Sequence, residues 1–262
     1  GDGHQAVDGR RHRDHPRHPG GHGRGYQESD GQALGEEQQG HGPVAQVLQQ
    51  VTDRHHHVER SPLAGEEQRV ETLSGDTSVG HAIAHCRAIE SLTETRLPPR
   101  AQVIRGIALE LERVANHIGD LGALAGDVGF LPTLSYCGRI RGDVLNMTAM
   151  LCGNRFGRGL VRPGGVAQDL DGDCVAELKR RVRAVETDAS VAVELLWDSP
   201  SVMARFEGTG ELSFELAGHL GLVGVAARAC GVRRDVRHDF PSGVFRYTQI
   251  PVSTWDSGDV FG

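Results

Sequence analysis

Lysine is almost missing from this chain. Lys179 is the only one, so arginine carries nearly all the positive charge, a bias that points to a GC-rich genome rather than to a chemistry. No CxxC pair occurs. The five cysteines (Cys86, Cys137, Cys152, Cys174 and Cys230) are odd in number and widely spaced, which argues against a disulfide framework and for a reducing compartment. No run of 18 apolar residues is present, so no transmembrane helix is expected, and no signal-peptide pattern opens the chain. The net charge of −7 leaves no basic face of the kind that nucleic-acid binders use, so no nucleic-acid partner is expected. Large apolar residues are scarcest at the start. Residues 1–57 hold only Val7, Tyr26, Leu34, Val44, Val47, Leu48 and Val51, together with nine of the 14 histidines. Such a segment buries too little surface to offset its ordering entropy.

The chain therefore divides in two. Residues 1–57 are expected to be disordered or irregular, or the product of a misread frame, and residues 58–262 to form the folded domain. The 262 residues suffice for one large domain with a real core. The start at Gly1 without methionine and the stop at Gly262 suggest a fragment, truncated at its C-terminal side. Asp76 and Thr77 are placed to cap a helix running to Leu92. Pro98-Pro99 ends it and opens a second, where proline is tolerated in the first turn. There Val103, Ile104, Ile107, Leu111, Val114, Ala115, Ile118 and Leu121 recur at spacings of three and four, with Arg105, Glu112 and Arg113 largely off the stripe. Glu110 and Glu112 read as solvated or paired with Arg105 and Arg113. Further helices are expected over 132–153 and about 171–197, and a strand over 244–251. The fold class is mainly α: a helical bundle core with a small α+β appendage after Pro200.

Four stretches, taken in order, resemble a known family. They are Leu73-Ser-Gly-Asp-Thr-Ser-Val-Gly-His81 with Ala84-His-Cys-Arg-Ala-Ile-Glu90; Leu97-Pro-Pro-Arg-Ala-Gln102 continuing to Leu109-Glu-Leu-Glu-Arg-Val-Ala-Asn-His-Ile118; Asp127-Val-Gly-Phe130; and Gly153-Asn-Arg-Phe156 with Val161-Arg-Pro-Gly-Gly-Val166. Gly258-Asp-Val-Phe261 fits as well. Over roughly residues 70–262 the chain resembles the large subunit shared by respiratory complex I (NADH-quinone oxidoreductase) and the membrane-bound group 4 [NiFe] hydrogenases. Upstream, His57-Val-Glu-Arg60 and His18-Pro-Gly-Gly-His-Gly23 are faint matches to further motifs of that family.

The resemblance implies a hydrogenase-large-subunit-like fold and a place in a membrane-associated oxidoreductase complex. That place is peripheral, on the cytoplasmic side of a prokaryotic membrane, with membrane subunits as further partners. A small subunit would bring an iron–sulfur cluster. This chain would bind no cofactor of its own beyond an acceptor of quinone type. The N-terminal nickel-binding cysteines of the family fall on Ser74 and Thr77, whose hydroxyls are hard and keep their protons, so no metal is expected here. The tyrosine of the quinone branch falls on Gly75, and its aspartate on Asp127; its histidine falls, in doubt, on His22. The expected catalytic residues are Asp127 and His81. Ser74, Gly75, Thr77, Arg141 and Arg162 are expected to face the quinone or the cluster. Plainer readings stay open: Asp127 as a turn cap, His81 and His85 as packed helix residues, Arg141 and Arg162 as salt-bridged interface residues, Arg162-Pro-Gly-Gly as a structural turn. Three functions remain in play: electron transfer to a quinone-like acceptor, a non-catalytic scaffold, and a true hydrogenase.

Overall fold

A computed structural model of the chain describes residues 69–262. The expectations placed on residues 1–57, His18, His22 and His57 lie outside the described residues. Four helices form the frame. Helix α1 spans Ser78–Leu92, α2 Pro99–Asp127, α3 Leu131–Cys152, and, after a short hairpin, α4 spans Gly172–Trp197. Helix α2, at 29 residues, is about 43 Å long. Its buried positions Ile104, Ala108, Leu111, Ala115, Ile118, Gly122 and Ala125 alternate spacings of four and three, the seam of a helix that packs along its whole length. That seam meets Cys137, Ile140, Val144, Met147 and Leu151 of α3, all essentially buried. The three-residue link Val128–Phe130 turns the chain back, so α2 and α3 run antiparallel. Gly122 permits their approach, since a β-carbon there would come within 2.9 Å of the Cys137 β-carbon.

Helix α4 then covers α3 with Leu178, Val185 and Ala192, while Leu196 packs with Ala125, Val202 and Phe206. The Asp171 carboxylate caps its start by accepting the Cys174 N–H at 2.7 Å. Asp188 ties it to α3, accepting hydrogen bonds from Tyr136 and Arg139. Helix α3 ends at Gly153, in the left-handed region at φ 75°. The mainly α expectation and the bounds of these helices hold to within a residue or two. Among the described residues no helix is long and apolar enough to cross a membrane.

The β content lies elsewhere than expected. The appendage after Pro200 carries short helices: α5 (Pro200–Phe206), α6 (Phe214–His219), α7 (Gly224–Ala229), α8 (Val236–Asp239) and a 3-10 turn (Gly243–Arg246). The strand expected over 244–251 does not form; its first residues close the 3-10 turn, and no neighbouring strand offers a ladder. The strand pairing seen among the described residues is the hairpin of β1 (Val161–Arg162) and β2 (Gly165–Val166).

A buried ion pair holds that hairpin. Arg105, read from sequence as lying off the apolar stripe, is 4% exposed. Its guanidinium grips Glu90 of α1 through two nitrogens, at 2.7 and 3.2 Å, and also donates to the carbonyls of Arg162 and Gly165. The Gly164 N–H completes the Glu90 side at 2.8 Å. Each charge is met by several hydrogen bonds, which lets both stay buried.

Two substitutions of glycine at positive φ separate backbone strain from packing. Gly129→Ala, where an added β-carbon meets nothing within 4 Å, costs about 1–2 kcal/mol from backbone strain. Gly157→Ala also drives its β-carbon into Val79 of the core and costs about 2–5 kcal/mol. Glu90→Ala leaves the buried Arg105 without its counter-charge, and lowers stability by about 3–5 kcal/mol. Urea unfolding of the three variants checks all three values; equal losses for the two glycines contradict the packing at Val79.

Candidate functional site

The sequence placed its candidates around the start of α1, and the structure shows what holds that turn. Neither Asp76 nor Thr77 caps it by side chain; the cap is Glu112 of α2. Its two carboxylate oxygens accept the N–H groups of Val79 and Gly80 at 2.7 and 2.9 Å. A neighbouring helix thus supplies the anion that the N-terminal turn attracts. Glu112 therefore pairs with backbone, not with Arg105 or Arg113. Glu110 pairs with Arg113, as expected, and also with Arg237 of α8 at 3.1 Å.

Ahead of this turn, residues 74–77 form a closed hydrogen-bond set. Ser74 Oγ donates to Asp76 Oδ1 at 2.6 Å, and Thr77 Oγ1 is 3.0 Å from the same oxygen and 3.2 Å from Ser74 Oγ. These bonds, Ser74's first, hold the Asp76 carboxyl below the usual carboxylate range. Asn116 of α2 fixes the loop by donating to the Asp76 carbonyl at 2.9 Å. Arg141 of α3 adds its charge toward Asp76. The arginine lies across α2 at Gly119, where a β-carbon would come within 3.1 Å of its Cδ and Nε. His81 Nδ1 is 2.8 Å from the Thr77 carbonyl; because a carbonyl only accepts, the proton sits on Nδ1 and leaves Nε2 available.

Between the loop, α2 and α3 lies a cavity lined by Gly75, Asp76, Glu112, Asn116, Arg141 and Arg155, among others. Its enclosed volume is ≈ 10 Å³, room for about one water. Above it the loop is open: a β-carbon at Gly75 meets nothing within 4 Å.

Ser74, Gly75, Thr77, His81 and Arg141 are thus brought together. Asp127 and Arg162 are not. Asp127 is exposed at the far end of α2, 11 residues beyond Asn116 and so about 16 Å along the helix. The Arg162 backbone is held by Arg105, beside Glu90 near the other end of α1, and its side chain turns back toward the Gly159 carbonyl. Sequence reasoning did not assign Asp76, Glu112, Asn116 or Arg155 to this site. The signal was present for Asp76, which stands between two candidates, but not for Glu112 and Asn116, whose role depends on how α1 crosses α2.

The donor set does not fit nickel. The side chains at 74 and 77 are hydroxyls already engaged with a carboxylate, and among the described residues no three His, Cys, Asp or Glu groups converge to hold a metal ion. Four of the five thiols are buried, and burial pushes that of Cys152 up to about 11.

Burial also raises the Glu112 carboxyl above its usual 4.5, against the two N–H bonds that pull it down, and the Asp76 carboxylate adds to the rise. A carboxyl raised by folding contributes stability below its unfolded value and loses it as pH climbs toward the folded one. The stability advantage of the native chain over Glu112→Gln is therefore greatest near about pH 4 and shrinks toward about pH 7. Urea midpoints across that range measure it, and a gap that widens with pH refutes the assignment.

Comparison with known proteins agrees with this architecture. Residues 127–262, just over half the chain, match the family described as respiratory-chain NADH dehydrogenase, 49 Kd subunit. NADH-quinone oxidoreductase subunit 4 of Thermus thermophilus is 37% identical over 185 residues, covering 70% of this chain and 45% of that protein. An NADH-quinone oxidoreductase subunit of Chloroherpeton thalassium is 29% identical over 248 residues, 94% of this chain and 55% of the relative. The chain thus spans about half the length of the curated relatives it matches. A chain of the membrane-bound sulfane sulfur reductase, an archaeal respiratory membrane complex, superposes with a TM-score of 0.61 at 24% identity, over 65% of this chain and 46% of that one, and so shares the fold. The order of the four motifs, the α1–α4 frame and these matches together make the chain a member of the family of the 49 kDa subunit of respiratory-chain NADH dehydrogenase.

Proposed function

We propose that this chain is part of the large subunit of a complex I-like respiratory oxidoreductase. It takes electrons from an iron–sulfur cluster in a small partner subunit and passes them to a quinone-type acceptor seated on the open side of the Ser74–Thr77 loop. The complex is attached to membrane subunits, and this subunit sits peripherally on the cytoplasmic side. The observation that carries the reading is that Arg141 and Asp76 line a cavity under a loop left open above Gly75, with His81 bonded to the Thr77 carbonyl of the same loop.

Each group has a distinct task. A quinone gains negative charge on oxygen as it is reduced, and the Arg141 guanidinium stabilises that charge. Asp76, held ionised by Ser74 and Thr77, is a poor proton donor. His81 suits proton transfer better, because its Nδ1–H is fixed on the Thr77 carbonyl while Nε2 makes no hydrogen bond among the described residues. Asp127, exposed at the end of α2, takes up protons from solvent or a partner surface for delivery inward. The smallness of the enclosed cavity favours a second reading, a scaffold in which residues 74–77 satisfy one another and no acceptor binds.

The purified complex distinguishes these roles by quinone-dependent reoxidation of the cluster. Under the electron-transfer reading, Arg141→Gln and His81→Phe slow reoxidation at least about tenfold, on the scale of one lost charge or proton contact. Asp127→Asn lowers the rate and shifts its pH profile. Turnover unchanged in all three variants leaves the scaffold, whereas stoichiometric nickel with hydrogen evolution leaves the hydrogenase and overturns the proposal.

A further inference from the structure

A second, larger cleft lies toward the other end of α1, about 15 Å along the helix from Gly80. It opens between the last turns of α1, the first turns of α2 and the 3-10 turn Gly243–Arg246, with a volume of ≈ 350 Å³, within the range of small-molecule sites. A glycine sets its width. At Gly106 an added β-carbon would meet a Val244 methyl carbon at 2.5 Å, so the 3-10 turn rests directly on the α2 backbone.

The cleft is chemically two-sided. Ile83, Leu109, Val244 and Phe245 give it apolar walls. The Glu90–Arg105 pair forms a polar base with no net charge, because each partner neutralises the other and their remaining bonds go to hairpin backbone. Two further guanidinia line the rim. Arg87 and Arg246 are both exposed, and among the described residues neither is ion-paired; Arg246 makes one bond, to the Pro241 carbonyl. Ser91, Thr95 and Ser242 add hydroxyls beside them. The result is an uncompensated charge of +2 at the mouth of a half-apolar cleft, in a chain whose net charge is −7.

We infer that this cleft binds an anionic amphiphile: a phosphate or carboxylate held between Arg87 and Arg246, with a short acyl or ring-sized body against Ile83, Leu109, Val244 and Phe245. Guanidinium groups bind such oxyanions through paired N–H donors, and the neutral base neither repels the head group nor competes for it. The volume admits the head and the first part of a chain, not a folded partner domain. The ligand comes either from an anionic lipid or from a free acyl phosphate. The inference does not depend on the reading of the 74–77 loop.

Titration calorimetry of the 262-residue chain with octyl phosphate, kept below its micelle concentration, tests it. The expected result is saturable one-to-one binding, with octyl glucoside and inorganic phosphate each at least tenfold weaker. In Arg87→Gln/Arg246→Gln binding falls at least tenfold while the urea midpoint stays in place. Octyl phosphate binding that survives in the double variant, or octyl glucoside that binds equally well, overturns the inference. With binding established, co-flotation with phosphatidylglycerol vesicles but not phosphatidylcholine vesicles, lost in the double variant, assigns the ligand to lipid; its absence assigns a free acyl phosphate.

Discussion

Helix α1 buries Val79, Ala82 and Cys86 in the shared core, and two polar clamps fix its position on α2. Two polar side chains of α2, Glu112 and Arg105, reach across and fix it about 15 Å apart, the first on the backbone of its opening turn and the second on Glu90 near its end. Polar clamps of this kind are directional in a way that apolar packing is not. A carboxylate holding two adjacent N–H groups sets both the rotation and the height of a helix, whereas an apolar stripe tolerates sliding by a turn. The residues ahead of α1 and the hairpin beyond it inherit their positions from these two contacts.

The consequence is a division of labour along α2. Its apolar seam joins α3 into the core, and its polar edge presents one candidate region at each clamp. At the Glu112 end the loop of residues 74–77 is kept compact by Ser74, Thr77 and Asp76, with Arg141 reaching over Gly119 from α3. At the Arg105 end the hairpin is pulled in and the 3-10 turn rests on Gly106, leaving the arginine-rimmed cleft between them. Glycine leaves room in both places: a β-carbon at 106 would meet Val244 of the 3-10 turn, and one at 119 would press on the Arg141 side chain.

Membership of the family accounts for the frame, and the loop ahead of α1 is built from two hydroxyls gathered on one carboxylate. Hydroxyls that hydrogen-bond to a carboxylate make a well-ordered polar loop and a poor nest for a soft metal. Arg141, reaching over Gly119, places a cation close enough to act on the Asp76 carboxylate.

Much of this was legible in the sequence. The 3.6-residue period marked the long helices, Pro98-Pro99 marked one boundary, and motif order gave the family, because these signals are local and repeat. The hydroxyl pair at 74 and 77 was equally plain. Three things were not. The 244–251 stretch has strand-like residues but no partner strand, and β structure forms only where a ladder is available. Arg105 and Glu112 read as surface charges because periodicity registers apolar residues, not charges buried by a partner 15 or 33 positions away. Asp127 and Arg141 seemed to belong to one site; the rise of α2 separates Asp127, while the antiparallel return of α3 brings Arg141 in. Sequence alone determined the helices, the family and the missing thiolates, which depend on residue type and short spacing. Only the tertiary structure decided which charges are buried, which helix caps which, and which residues share a cavity, because those follow from how helices cross.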